Sequence, residues 1–327
     1  MHVLAAVMGG AAAAICCVAM AACLYVHKRK KKTRNGELSN VERLLEYRSP
    51  ATGGGGGRSF SLAEIKAATE NFREALVVGV GRQGKVFRGV VDGGTAVAIK
   101  LANPSPGRSA REFRAEIETL SNLRHRHLVR LLGFCSDREE TILVYRHMPR
   151  GTLREHLHGK SGKPAMPWWR RLDACMGAAR GLHCLHAGGV VHGDVRTTTI
   201  LVDENWVAKL SDFGLSNSKH ATMESDVYSF GVVLFEALMA WRPALLPGDQ
   251  AVGLAEHALA CHRNGTLPDA VDAAIKGQVA PECLEKFAGM AAECLAHQGT
   301  ERPAMGDVLW NLELSMQLQL INPKRTL

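Results

Sequence analysis

Gly79-Val80-Gly81-Arg82-Gln83-Gly84-Lys85-Val86 runs without a break into Phe87-Arg88-Gly89-Val90-Val91, and that continuation decides the fold. Glycines spaced G-x-G-x-x-G let backbone amides come close to a phosphate chain. In a dinucleotide-binding unit a helix starts directly after the third glycine, with its N-terminus under the phosphates. Here Lys85 to Val91 is β-like, so a second strand is predicted instead and the glycines form a loop between two strands. Such a loop covers a nucleotide from above.

Working outward, Asp92-Gly93-Gly94 separates the β-type run Ala75 to Val91 from a second run, Ala96 to Leu101, which is a hairpin signal. Within the second run Val97-Ala98-Ile99-Lys100 places one lysine on a strand pointing into the cleft. A helical pattern from Arg111 to Leu123 carries Glu116 where a carboxylate could hold that lysine. Strands are predicted near Leu128 to Phe134 and Thr141 to Tyr145, and from Gly151 onward helices dominate, apart from short strands around His192-Gly193-Asp194. Upstream, Ser61 with Glu64 makes a capping box and Phe60 with Ile65 a hydrophobic staple, and Ile65, Ala68 and Phe72 continue one helical face. The order is a small β-rich lobe followed by a larger α-rich lobe, an α+β architecture with ligand between the lobes.

Lys100 or Glu116 alone reads as ordinary surface charge. Following a glycine loop, and with Asp212-Phe213-Gly214 later in the chain, they form the protein-kinase signature. The stretch from Phe60 to Val86 resembles the plant receptor-like serine/threonine kinases, most of all the group with malectin-type ectodomains. So do Arg124-His125-Arg126-His127-Leu128-Val129, Gly151 to Leu157, Ala178 to His183, Glu204 to Lys209 and Ser225 to Gly231. The resemblance covers the chain from Phe60 to near Leu320.

It implies a bilobal protein-kinase fold over residues 60–320, with an N-lobe at about 60–148 and a C-lobe at about 149–320. It further implies binding of ATP with Mg²⁺ (Mn²⁺ in its place) and transfer of phosphate to protein serine or threonine. By this resemblance Lys100 contacts the α- and β-phosphates and pairs with Glu116, Asp212 holds a magnesium ion, and Asp194 accepts the proton of the substrate hydroxyl. Gly79, Val80, Gly81 and Gly84 cover the nucleotide. Val86, Ala98 and Leu201 enclose the adenine, although plain core is the alternative reading of each. Tyr145 sits at the back of the pocket, Arg146 to Met148 supply hinge amides, and Asp226 ties the catalytic loop to the central helix of the large lobe.

Several positions depart from the family pattern. The catalytic loop reads His192-Gly193-Asp194, lacking the usual arginine, and Thr199 stands where an asparagine would serve a second magnesium ion. Arg196 replaces a lysine near the transferred phosphate, which keeps the charge and changes its shape. Only the ten residues Leu215 to Glu224 separate Gly214 from Ser225, where relatives hold a much longer activation segment with an Ala-Pro-Glu-like motif. Ten residues extend at most ~33–36 Å, enough to join the two elements but not to build a platform for a peptide substrate. Skipped coding sequence would leave the same pattern. Arg302 matches the arginine that pairs with the glutamate of that motif, so it has to find another partner or reach water. Phosphotransfer is therefore expected to be impaired, and a pseudokinase that partners an active receptor kinase is the alternative.

Val3 to Val26 carries no charge and as a helix would span ~36 Å, against ~30 Å for the hydrocarbon core of a bilayer. Six positive charges follow between Lys28 and Arg34. A transmembrane helix within residues 1–26, a basic juxtamembrane segment with a glycine-rich linker over 27–59, and a cytoplasmic kinase domain at the plasma membrane are the expectation. Almost nothing is then expected outside the membrane. The net charge of +8 is mostly that basic run, and no aromatic-interleaved basic stripe exists, which argues against nucleic acid as a partner. The nine scattered cysteines fit a reducing compartment. His183, Cys184, His186 and His192 lack the paired spacing of structural zinc.

Overall fold

The computed structural model describes residues 58–81, 84–102, 117, 120–137, 140–159, 165–213, 221–240 and 253–321. The expected transmembrane and juxtamembrane segments, Glu116, and the residues 214–220 after the Asp-Phe pair lie outside the described residues. Among the described residues no helix is long and apolar enough to cross a membrane.

The first strand, β1 (Arg58–Ser59), precedes the expected domain start at Phe60 and pairs in parallel with β5 (Leu131–Asp137). Helix α1 (Leu62–Ala68) begins where the capping box predicts: Glu64 N–H donates to Ser61 Oγ, and Glu64 Oε2 accepts from Ser61 N–H at 2.8 Å. Phe60 and Ile65 are both buried in one cluster, as a staple requires. The long run from Ala75 divides into a 3₁₀ turn (Glu74–Leu76) and strands β2 (Val77–Gly81) and β3 (Gly84–Val91). The hairpin at Asp92-Gly93-Gly94 leads into β4 (Thr95–Ala102), with Asp92 and Gly93 at positive φ of 50° and 69°. Strand β6 (Glu140–Arg146) completes a sheet of order β1-β5-β6-β4-β3-β2. The strand expected from Leu128 instead starts at Leu131. Leu128 makes an isolated bridge to Leu210, so the backbone there joins the lobes rather than extending the sheet.

Period-two alternation divides this sheet into two faces. Val97, Ile99, Ile142 and Val144 point to one side and bury with Phe60 and Ile65. Lys100, opposite both Val86 and Leu143, and Ala98, opposite Tyr145, point to the other side. A register shift between Leu131 and Gly133 turns β5 over, so Leu131 shares the face of Tyr145 while Cys135 joins Ile142 and Val144. One face thus makes the small lobe's own core, and the other looks into the cleft.

The second lobe opens with α2 (Leu153–His158), capped by Thr152 and Glu155, and continues through α3 (Trp168–Ala187), the two-stranded pair β7 (Ile200–Val202) and β8 (Ala208–Leu210), and α4 (Met223–Met239). Helices α5 (Leu254–Arg263), α6 (Leu267–Ala270), α7 (Pro281–Cys294) and α8 (Met305–Ile321) follow. Phe230, Phe235, Leu172 and Leu182 are fully buried, which sets α3 and α4 in the centre of this lobe. A Cβ on Gly181 would lie 2.6 Å from the His127 carbonyl oxygen, so only glycine lets α3 close on the segment bridging to β8. Arg171, with no exposed surface, donates to Met166 O, Ala237 O and Asp272 Oδ2, the last at 2.6 Å.

Candidate functional site

Residues distant in sequence meet between the lobes. Lys100 Nζ from β4 lies 2.7 Å from Asp212 Oδ1; the lysine side chain is 4% exposed and the aspartate 32%. Asp212 is held at φ 62°, a strained backbone for a residue other than glycine, directly after β8. Glu116, the expected partner of Lys100, is outside the described residues. Val86, Ala98 and Leu201 are each partly buried, and Tyr145 and Met148 are buried. Burial, and after it the Asp212 carboxylate, pushes the Tyr145 phenol well above its ordinary range, so it stays neutral.

The hinge is more selective than the sequence suggested. Arg146 N–H already donates to Arg130 O at 3.1 Å, and His147 N–H reaches Ala96 O at 3.4 Å. Met148 N–H has no backbone partner among the described residues. In the glycine loop Gly79 pairs with Val86, and a Cβ there would rest 3.8 Å from Val86 Cβ. Val80 pairs with Lys85 on the opposite face and is 72% exposed, so only the backbone at Val80 can serve the cleft. The pair Gly81 and Gly84 closes the loop.

The catalytic loop is fixed from below by Asp226 near the start of α4, only 1% exposed. Its carboxylate accepts His192 N–H at 2.7 Å, Gly193 N–H at 2.8 Å and His186 Nε2 at 3.0 Å. Gly193 has φ 79°, a left-handed conformation that glycine adopts without strain. The His186 ring thus meets the Asp226 carboxylate, whereas His192 meets it through its backbone and its ring Nδ1 accepts Asp194 N–H at 3.2 Å. Asp194 Oδ2 is 2.9 Å from Arg196 Nη2. Thr197 and Arg154 converge on Glu236 of α4, at 3.0 and 3.1 Å.

Thr199 is 3% exposed, and its hydroxyl is committed to the loop itself. Oγ1 accepts Arg196 N–H at 3.1 Å and faces Asp194 O at 2.9 Å and Arg196 O at 3.0 Å. It therefore braces the backbone around Asp194, with its proton directed at loop carbonyls. Among the described residues no group of three or more His, Cys, Asp or Glu could hold a metal. Among the described residues the donors fit magnesium through Asp212, in the manner of an ion held by one carboxylate and the nucleotide phosphates, with the Thr199 hydroxyl engaged by its own loop.

Arg302, left without its expected glutamate, has three carbonyl partners: Nε to Ala296 O at 2.9 Å, Nη1 to Glu224 O at 2.9 Å and Nη2 to His297 O at 3.3 Å. Its guanidinium lies 4.9 Å from the Tyr228 ring centre. The sequence required a partner here; only the fold supplies backbone oxygens from two separate segments.

A β-rich lobe, a glycine loop, a lysine–aspartate pair and a braced catalytic loop make the folded part of this chain a protein-kinase domain. Residues 73–224 match the protein tyrosine and serine/threonine kinase family. The chain is 52% identical over 295 residues to the receptor-like protein kinase FERONIA of Arabidopsis thaliana, across 80% of this chain and 33% of that protein. It is 51% identical over 294 residues to ANXUR2, across 80% and 34%, and 47% identical over 296 residues to THESEUS 1, across 80% and 34%, both receptor-like protein kinases of the same plant. The chain spans about a third of the length of the curated relatives it matches. The aligned 295 residues exceed the 80% of this chain that they cover, so the relative has residues for which this chain has no counterpart.

Proposed function

We propose that this chain is a receptor-like kinase homologue whose cleft binds ATP and whose transfer of phosphate to protein serine or threonine is impaired. The observation that carries the reading is the contrast within one site. Lys100 and Asp212 meet at 2.7 Å, ready to receive phosphates and one cation, while the Thr199 hydroxyl is turned onto the loop backbone. When bound beside Asp212, magnesium would neutralise phosphate charge. Lys100 would orient the α- and β-phosphates, the Met148 amide would hold the adenine edge, and Asp194 would take the proton of an incoming hydroxyl. Phosphoryl transfer depends almost wholly on positioning and electrostatics. A missing amide ligand and ten residues in place of a substrate platform remove much of both. The uncharged Val3 to Val26 and the basic run after it support anchorage in the plasma membrane with the kinase domain in the cytoplasm.

Calorimetric titration of the full chain with ATP and Mg²⁺ or Mn²⁺ tests the binding, with Lys100→Met as control. Heat of binding that vanishes in the variant is expected; no uptake by the unaltered chain refutes the proposal. Labelled phosphate incorporated into protein, and lost in Asp194→Asn, would return the chain to the active class. Complete absence of transfer with binding intact favours the second reading, a pseudokinase that supports an active receptor kinase, which the committed Thr199 hydroxyl favours.

A further inference from the structure

Outside the cleft, on the far side of the hinge, two features adjoin. One is a cavity of about 450 Å³ whose walls include Thr95, Ala96, Leu132 and Pro149. The other is a stack of cations and indoles. The Arg150 guanidinium lies 4.2 Å from the Trp206 ring centre, and Arg170 is bracketed by two rings, 4.2 Å from Trp206 and 4.4 Å from Trp169. Glu204 joins the two features, because it lines the cavity and its carbonyl oxygen accepts from Arg150 Nε at 3.2 Å and Nη2 at 3.0 Å.

The stack is built at some conformational expense. Trp206 is held at φ 65°, an unfavourable backbone for a bulky residue. The Asp203 side chain fixes that turn by accepting Asn205 N–H and Val207 N–H, both at 2.9 Å. Trp169 remains 40% exposed beside it. Neither Arg150 nor Arg170 has a carboxylate partner among the described residues, and the Glu204 carboxylate is taken by Arg146 at 2.9 Å. A guanidinium stacked on an indole has restricted rotamers and keeps its in-plane N–H groups accessible; Arg150 gives its Nε/Nη2 edge to Glu204 O, which leaves its outer edge and the fork of Arg170 for a ligand. That is the geometry that receives a carboxylate in bidentate fashion with little further loss of entropy.

We propose that this face docks an acidic peptide segment of a partner protein, with carboxylates on Arg150 and Arg170 and an apolar side chain in the cavity beside Pro149. Charge complementarity favours this occupant, since two arginines without a carboxylate partner among the described residues border a mostly apolar hollow. The surface contains none of Lys100, Asp194 or Asp212, and Arg146 and His147 of the hinge line its cavity.

The test is fluorescence anisotropy of a labelled synthetic peptide of alternating glutamate and leucine, titrated with the full chain. Arg170→Gln should weaken binding at least tenfold with an unchanged melting temperature, and Arg170→Lys should weaken it nearly as much, because the fork and the stacking are lost while the charge stays. The basic run Lys28 to Arg34 would also adsorb an acidic peptide, but that adsorption is indifferent to Arg170. Equal affinity of the unaltered chain and Arg170→Gln, or full affinity in Arg170→Lys, overturns the proposal. So does an Arg170-dependent attachment to phosphatidylserine vesicles with none to the peptide.

Discussion

Replacing Arg302 by alanine measures how strongly its guanidinium ties the start of α4 to the chain before α8. The bond from Nε to Ala296 O, 2.9 Å and partly buried, is a charged donor on a carbonyl and contributes about 2 kcal/mol. The bond to Glu224 O has the same length but lies in water, so about 0.5 kcal/mol is reasonable, and the 3.3 Å bond to His297 O adds little. Stacking against Tyr228 at 4.9 Å brings a further ~0.5 kcal/mol. The sum is roughly 3 kcal/mol, which urea unfolding of Arg302→Ala should show as a lower midpoint at unchanged slope. Arg302→Lys should recover less than half of the loss, since one ammonium cannot reach oxygens from two segments. A loss under ~0.5 kcal/mol for the alanine variant would refute the reasoning and leave Arg302 an ordinary surface residue.

Thr199→Val keeps the shape and removes the hydroxyl, leaving the partly buried Arg196 N–H without its partner; a loss of about 1–2 kcal/mol in the same unfolding assay is expected, and none would mean the brace is dispensable. Asp226→Asn sets an amide against three donors and should lower stability by roughly 2–4 kcal/mol, with a normal melting curve as the contrary result. Burial, then the charges of His127, Lys209, Arg180 and His183, bring His125 from 6.5 down to about 4. Between those values the unfolded chain holds the extra proton, so stability falls as pH drops through the window and the loss levels off below about 4. Thermal melts of His125→Gln should show a shallower decline from pH 6.5 to 5 than the unaltered chain, and parallel curves would contradict the assignment.

How much the sequence could carry is clear from particular residues. Local signals were complete in themselves: the Ser61–Glu64 box, the Asp92-Gly93-Gly94 turn and the strand after Gly84 each depend on neighbours within a few residues, and each formed where expected. The glycine loop, Lys100, Asp194 and Asp212 were also legible, because their spacing records a shared chemistry. What needed tertiary structure was direction. Alternation along a strand shows that Val80 and Gly79 face opposite ways, but not which side is the cleft until β2 pairs with β3. The hinge amides looked equivalent until the fold gave the Arg146 N–H to Arg130 O. The Thr199 hydroxyl could have pointed to a cation or to its own loop, and Arg302 could have been idle. For Thr199 the turn of its own loop decided, since Asp194 and Arg196 lie within five residues of it; for Arg302 the distant Glu224 carbonyl decided, and no spacing along the chain encodes that approach. The sequence by itself determined the lobes and marked Lys100, Asp194 and Asp212 as candidates; packing decided that Lys100 and Asp212 meet and which oxygens, amides and guanidinium edges are already engaged.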